Sequence, residues 1–525
     1  MSGPDAGTDS GGTDVGGTDV GGVDMSGTDG TTELSPVPAP APTPRRIRRT
    51  TPRPVRGRWT AVLSVLVVVI GVGVVSAAVH TPAAAQAPGI LDAVRVPPAD
   101  ATTSSAFCVA GTGHDAASTI YLSNSTTRTV AGVMTTVRSS DKGGSVHTVR
   151  RAVRVPPRAV SAVNPSQGLG QGSYASSFTF AGGGVVASQV LSGPLGWSTA
   201  PCASQTSSQW AFAGGSTTAG NSLVLSLFDP AAPESVVDVT FVTNTGLVTP
   251  QAYQGLVVGP GKLVTLDVGQ YVQKATDVAT LVATQSGALV SSEFQAYSRG
   301  SVGGLSLRLG SPELSTVWRF PQVTAGRGST VSVDVANPGR STVAATVSLG
   351  LSSGSVVPRR LSIPALSVAS FVVSGTAGLP QGVPYSMTIN SSGPVVAGRS
   401  VLAAGGAPAP TWGSSSGTTT ATTEWLVPGP GVVPAPGTPH ASIKNLAVAD
   451  PGAAPARVGV YTLAGRAVAT FTVDPGRLVV LGSKVVKGLS TFVVRSSEPV
   501  AVEEDSRPSG ASGVVSSTGF PLVGR

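Results

Sequence analysis

The residues able to carry chemistry are few and poorly assembled. His80, His114, His147 and His440 are the complete histidine set, and none stands at a metal-ligand spacing from another histidine or from a cysteine. There is no HExxH and no CxxC. The nearest string to a phosphate-binding loop, Gly255 to Lys262, has five residues between its glycines and Leu263 where Ser or Thr is required. Gly350-Leu351-Ser352-Ser353-Gly354 fits G-x-S-x-G, but a nucleophile elbow needs a strand-to-helix turn and a histidine partner, and here a hairpin between two strands is expected. Glu503, Glu504 and Asp505 could hold a cation, although charge capping an exposed strand edge is the simpler expectation. The sequence therefore predicts no catalytic residue, no metal site and no cofactor.

Three groups are better suited to binding or bracing than to catalysis. Arg150, Arg151, Arg154 and Arg158 follow Arg138 and Lys142 within twenty-one positions. Alternate strand residues share a face, so Arg150, Arg154 and Arg158 would line one side while Arg151 joins the other. They are candidates for contact with a phosphate, a glycan carboxylate or lipid, against the plainer reading of a charged edge that discourages aggregation. Trp197 and Trp412 lie in Gly/Ser/Thr-rich stretches that read as linkers, and are candidates for exposed aromatic contact. Cys108 and Cys202 are the only cysteines, 94 positions apart, and they bracket one predicted domain. In an outer compartment they are expected to pair, which the chain-entropy account values at about 4–5 kcal/mol.

The elements that must position these groups begin after a long leader. Met1 to Glu33 repeats a Gly-Gly-Thr-Asp-Val-like pentad with Asp9, Asp14, Asp19, Asp24 and Asp29 five apart, too poor in large side chains to offset its ordering entropy. A Pro/Ala spacer follows, then seven arginines between Arg45 and Arg58, then Trp59. Thr60 to Val79 is twenty residues without a charge, long enough as a helix to span about 30 Å of hydrocarbon. The arginines belong on the cytoplasmic side, so everything after His80 is expected outside, with cleavage near Ala85 as the competing reading. Seven acids in the leader cancel its seven arginines, so the whole formal charge of +8 sits on the remainder.

Beyond the apolar stretch, residues 105 to 525 repeat themselves four times. Strands ending at Asn124, Asp229, Asn337 and Asp450 are separated by 105, 108 and 113 positions, usually with Pro next. Opening strands carry Trp210, Trp318 and Trp425, 108 and 107 apart, with Phe107 and Cys108 at that place in the first copy. Closing strands begin near Val185, Leu289, Val395 and Val500, 104, 106 and 105 apart. Each unit parses into about seven short strands, in the third Val317–Val323, Ser329–Ala336, Val343–Leu349, Ser355–Ile363, Val368–Ser374, Pro384–Asn390 and Val395–Leu402. Alternation such as Val331, Val333, Val335 against Ser332, Asp334, Ala336 puts one face inward and one toward water. The expected fold is all-β: tandem immunoglobulin-like antiparallel sandwiches at 105–205, 206–305, 306–410 and 411–525, after a disordered tail (1–58), one transmembrane helix (59–79) and a linker (80–104). The Asn/Asp-Pro-Gly ends are expected to be turns rather than calcium ligands, because Asn alternates with Asp there. The three opening tryptophans are expected to be core anchors.

The basic-flanked anchor, the Val/Gly/Ala-rich composition with 67 glycines, the single cysteine pair and the Trp-led repeats together resemble a family of actinobacterial membrane-anchored secreted proteins of uncharacterised function. The resemblance implies an envelope location and supplies no catalytic residue. The expectation is a non-catalytic structural or interaction protein of the cell envelope, a row of four modules outside a plasma membrane crossed once, with the N-terminus cytoplasmic. Its partners would be envelope proteins or anionic or carbohydrate wall polymers, not nucleic acid. The alternative is a carbohydrate-binding accessory to an envelope glycosyltransferase or peptidoglycan enzyme.

Overall fold

The computed structural model describes residues 93–110, 116–139, 147–170, 172–324, 329–403, 410–428, 442–486, 491–508 and 515–522. The expected tail, apolar span and most of the linker lie outside the described residues. Among the described residues no helix is long and apolar enough to cross a membrane.

Valine, threonine and aromatic residues bounded by Gly, Pro and Asn produce a nearly all-β chain. The first unit holds β1 (Ser104–Ala110), β2 (Ala117–Asn124), β3 (Val130–Arg138), β4 (His147–Val155), β5 (Val160–Val163), β6 (Tyr174–Phe180), β7 (Val185–Gly193) and β8 (Gly196–Pro201). The second holds β9 (Gln209–Gly215), β10 (Asn221–Asp229), β11 (Ser235–Thr243), β12 (Gly246–Val248), β13 (Leu256–Val258), β14 (Lys262–Asp267), β15 (Val278–Ser286), β16 (Val290–Arg299) and β17 (Val302–Leu309). The third holds β18 (Ser315–Thr324), β19 (Thr330–Asn337), β20 (Val343–Leu351), β21 (Arg359–Ile363), β22 (Ser367–Val372), β23 (Pro384–Ala403) and β24 (Thr411–Ser416). The last holds β25 (Thr422–Pro428), β26 (Ser442–Ala449), β27 (Ala456–Thr462), β28 (Ala467–Val473), β29 (Leu478–Leu481), β30 (Thr491–Pro508), β31 (Val515–Thr518) and β32 (Phe520–Pro521).

The same two sheets recur in every unit. In the first they run β1-β6-β3-β4 and β5-β2-β7-β8; the second gives β9-β15-β11-β12 and β14-β10-β16-β17. The third and fourth follow suit, except that one long strand replaces two. The amino half of β23 pairs with β18 and β20, and its carboxyl half pairs with β19 and β24. The expected separate strands Pro384–Asn390 and Val395–Leu402 are thus one strand that passes from sheet to sheet. The second–fifth and third–sixth pairings are those of an immunoglobulin sandwich, but the edges differ. The first strand lies beside the sixth and the seventh beside the second, so the two terminal strands have exchanged sheets.

Three devices repeat inside the units. The indole Nε1 of buried Trp210, Trp318 and Trp425 donates to the Leu289, Val395 and Val500 carbonyls at 2.9, 2.9 and 2.8 Å, tying the first strand of one sheet to the seventh of the other. The first unit has no such tryptophan, and there Cys108 and Cys202 form the disulfide. The strand-ending Asn337 donates its amide to the Ser341, Ile363 and Pro364 carbonyls and accepts from the Gly339 N–H; Asn124 does the same with Arg128, Val155, Pro156 and Thr126. Asp229 and Asp450 accept backbone N–H groups of Ala231 and Gly452, so these ends are turn chemistry. Finally, the turn before the fifth strand holds a left-handed residue in each unit: Arg158, Gly261, Leu366 and Gly476 at φ 49°, 67°, 53° and 69°.

The units close on one another within one compact body spanning residues 88–525. The first strand of each packs on the second and seventh strands of the next: β1 on β10 and β16, β9 on β19 and β23, β18 on β26 and β30. The fourth unit returns to the first, where Leu426 of β25 is buried with Val186 of β7, Val96 and Phe520. Ser123 and Thr491, 368 positions apart, are within 3.2 Å through their hydroxyls. The eighth strands meet in the middle, β17 pairing in parallel with β24 while β8 lies against β17 and β31. The expected row is therefore a closed ring. This explains why β7, β10 and β16 are buried on both faces rather than wetted on one: a neighbouring unit covers the second face.

Candidate functional site

Polar chemistry concentrates where units meet. Four residues on from Val185, Leu289, Val395 and Val500 stand Gln189, Glu293, Arg399 and Glu504, all buried on the seventh strands. Gln189 donates its amide to the Val109 carbonyl at 3.0 Å. Glu293 accepts from Thr280 Oγ1 at 2.9 Å and is ion-paired with the buried Arg308 of β17, whose guanidinium also donates to the Ala213 carbonyl. From the third unit, Asp334 of β19 comes so close that a Cβ on Gly214 would lie 2.8 Å from its Oδ2; Gly214 also has φ +83°, so glycine is required there twice over. Loss of solvent pushes the Glu293 carboxyl above its ordinary range, against Arg308 and Thr280. Desolvation pushes Asp334 up to about 7, opposed by the Ser370 hydrogen bond and Arg308 and reinforced by neighbouring Asp277.

The next junction repeats the idea with the charges shifted along the chain. Arg399 of β23 is ion-paired with Glu503 of β30 and donates to the Gln322 carbonyl, to Ser415 Oγ at 3.0 Å and to Ser516 Oγ at 2.7 Å. Asp505 stands 3.9 Å away, and Glu503 also accepts the Gln322 N–H at 3.0 Å. Desolvation pushes Glu503 up to about 7, with Arg399 lowering and Asp505 raising it. The acidic trio is thus no exposed edge: Glu503 is buried because the third unit's β18 covers that face of β30, and Glu504 is buried on the opposite face, which it shares with the core residues Val500 and Val502. A guanidinium surrounded by carboxylates and carbonyls away from water acts as a clamp that fixes one unit's angle on the next.

The fourth junction is built otherwise. Residues 93–101, expected as linker, form a strap: Ala93 O accepts from the Ser204 N–H at 2.7 Å, Val96 N donates to Pro521 O at 3.0 Å, and Gly184 N donates to Pro97 O at 2.9 Å. Beside the strap opens a cleft of about 740 Å³ between the first and fourth units, lined among others by Pro97, Arg158, Glu424, Tyr461, Leu463 and Arg495. Glu424, Arg495 and Gly459 face one another across β25, β30 and β27. Arg495 Nε donates to Glu424 Oε1 at 3.0 Å and its guanidinium carbon lies 5.7 Å from the centre of the Tyr461 ring. A Cβ on Gly459 would fall 2.5 Å from the Tyr461 hydroxyl oxygen and 2.8 Å from its ring, so the tyrosine lies back over that glycine.

The residues singled out in the sequence are scattered across this frame. Arg150 and Arg154 are exposed on the outer face of β4, an edge strand. Arg151 donates to Gln167, and Arg158 lies past the end of β4 in the turn, with Nη1 donating to Ala464 O of the fourth unit at 2.9 Å. The four do not form one face. Trp412 is not in a linker: it sits on β24, 7% exposed, stacked on Tyr297 at 5.2 Å. Trp197 is half-buried on β8. The Gly/Ser/Thr-rich stretches around them read as linkers because their side chains carry no apolar pattern, yet their backbones pair as eighth strands. Consequently the expected boundary at 305/306 cuts β17, and β24 belongs to the third unit's hairpin rather than to 411–525. Glu293, Arg308, Tyr461 and Arg495 were not singled out by the sequence, and Asp334, expected with Ala336 on a water-facing side of β19, is buried because β9 of the second unit covers that side. Alignment of the closing strands would have found Glu293, since one position there is polar in all four copies.

The fold defines a chain of antiparallel β-sandwich units of one topology. The chain belongs to a family of unknown function (DUF5719), whose profile matches residues 171–474, covering the two middle units and parts of the outer ones. Among solved structures it is similar to protein 1070 of Thermotoga maritima (24% identity over 20% of this chain and 93% of that one, TM-score 0.18). It is also similar to a tetra-tandem repeat from the extending region of a large adhesion protein (13% identity, 82% of this chain and 98% of that one, TM-score 0.09). No curated protein matches.

Proposed function

We propose that the protein is a non-catalytic interaction protein of the bacterial cell envelope, held at the plasma membrane by residues 59–79 with the ring outside. The observation that carries this reading is the pairing of Cys108 with Cys202 in a chain whose Arg-flanked apolar stretch precedes the ring, because disulfides persist in oxidising compartments. The units are read as immunoglobulin-like sandwiches with exchanged terminal strands, a scaffold that presents surfaces. The buried charges serve the same end: Arg308 and Arg399 hold neighbouring units at fixed angles, and a rigid ring loses little conformational entropy when a partner docks.

The test is cell-surface proximity labelling by a peroxidase fused after Arg525, with protease added to intact cells. The expected result is labelled envelope proteins or polymers and degradation of the ring from outside. Labelling confined to cytoplasmic proteins, with the ring protected, would overturn the proposal.

A further inference from the structure

We infer that the cleft between the first and fourth units is a binding site for an acidic polysaccharide. The inference deepens the envelope reading by assigning a ligand class to one place on the ring.

The lining of the cleft suits a sugar chain. Polysaccharide sites combine an aromatic ring, on which the C–H face of a sugar packs, with planar polar groups that reach its hydroxyls. Here Tyr461 supplies the ring, and the Glu424–Arg495 pair supplies a carboxylate and a guanidinium side by side on neighbouring strands. The Arg495 and Glu424 side chains keep 60% and 38% of their exposure, so both retain hydrogen-bonding capacity toward a ligand. Gly459 is the residue that lets the tyrosine lie down on the sheet. Two guanidiniums, Arg158 and Arg495, face one carboxylate among the charged residues lining the cleft, and that balance favours a sugar carrying negative charge.

One wall of the cleft carries an arginine at a turn position where glycine serves elsewhere. The left-handed position before the fifth strand is glycine in the second and fourth units, where φ > 0 carries no penalty. In the first unit the same position is Arg158 at φ 49°, a conformation that disfavours a side chain. Glycine would make the turn more easily; only the arginine places a guanidinium at the mouth of the cleft. Leu366 takes the same conformation in the third unit at φ 53°, so what distinguishes the first unit is the guanidinium that this turn delivers to the cleft.

The test is affinity electrophoresis of the full chain, kept soluble with detergent, through gels containing polygalacturonate, wall teichoic acid or neutral dextran. Retardation by at least one acidic polymer and none by dextran is expected, and the two acidic gels distinguish carboxylate from phosphate as the anion. Tyr461→Ala, which leaves net charge unchanged, is expected to weaken retardation at least tenfold. Arg158→Gly is expected to weaken it severalfold while the melting temperature holds or rises, since glycine relieves the turn. The inference fails if no polymer retards the protein, if Tyr461→Ala is retarded like the wild type, or if Arg150→Ala/Arg154→Ala abolishes retardation as fully as Arg158→Gly. Those results would leave the envelope reading standing, because surface labelling does not depend on the cleft.

Discussion

The junction between the second and third units and the one between the fourth and first solve the same problem with opposite materials. The former buries Arg308 among Glu293, Asp334 and a backbone carbonyl; the latter seals Leu426, Val186, Val96 and Phe520 together and leaves the fourth unit's Arg495–Glu424 pair, which lines the adjoining cleft, at the surface. A buried charge cluster is directional. It contributes little net stability but penalises every misaligned arrangement heavily. An apolar seal tolerates small shifts and depends on area. Chain connectivity brings the second and third units together in any case, so their junction needs orientation more than affinity. The fourth and first are joined through the whole length of the ring, and their junction needs adhesion, which the strap at 93–101 adds.

The sharpest break of this contrast is Arg308→Met. It strands Glu293 and Asp334 in a dry interface, and denaturant unfolding is expected to show a loss of about 3–5 kcal/mol. Adding Glu293→Leu should restore most of it; a single variant as stable as wild type would mean the cluster is not the clamp. At the closing junction, Leu426→Ala should cost about 2–4 kcal/mol through the cavity it leaves. Its proteolytic nicking is expected near residues 93–101, and nicking elsewhere would argue against the strap as the seal.

A smaller effect separates the junctions by pH. Asp334 binds its proton more tightly folded, near pH 7, than unfolded, near pH 4, so its contribution is complete below about pH 4 and is lost as pH climbs through 7. Between pH 6 and 8 the wild type should lose on the order of 1 kcal/mol relative to Asp334→Asn. The slope will not vanish in that variant, because Glu503 also titrates near 7 for the same reason. Identical slopes for wild type and variant would remove Asp334 from the account. The smallest expected effect is at the surface: Arg495→Ala should change stability by about 0.5 kcal/mol or less, since an exposed pair is screened by water and salt. A larger loss would mean that the closing junction also relies on charge.

Much of the fold was legible, and most of the candidate site was not. Trp210, Trp318 and Trp425 announced themselves by period, and their burial and shared hydrogen bond follow from an indole placed on an inward-facing strand position. The disulfide was legible for the same reason, two cysteines at matching ends of one unit. Glu503 was misread because a charged residue on a strand near the end of a repeat looks like edge protection until another unit covers it. Arg158 was grouped with Arg150 and Arg154 by spacing alone, yet the strand ends at Val155 and the turn sends it to another unit. Trp412 looked exposed because glycine and serine surround it, although backbone pairing, which is blind to side-chain polarity, makes that stretch a strand.

What the sequence determines by itself is local and periodic: alternation of apolar residues, turn-forming Asn-Pro-Gly ends, and a motif returned four times, each governed by interactions within a unit. Ring closure, the second buried face of the seventh strands, the clamps around Arg308 and Arg399 and the cleft at Tyr461 were decided only when units met. Those contacts join residues up to hundreds of positions apart, and their free energy depends on which surface lies opposite, a quantity no single stretch of sequence contains.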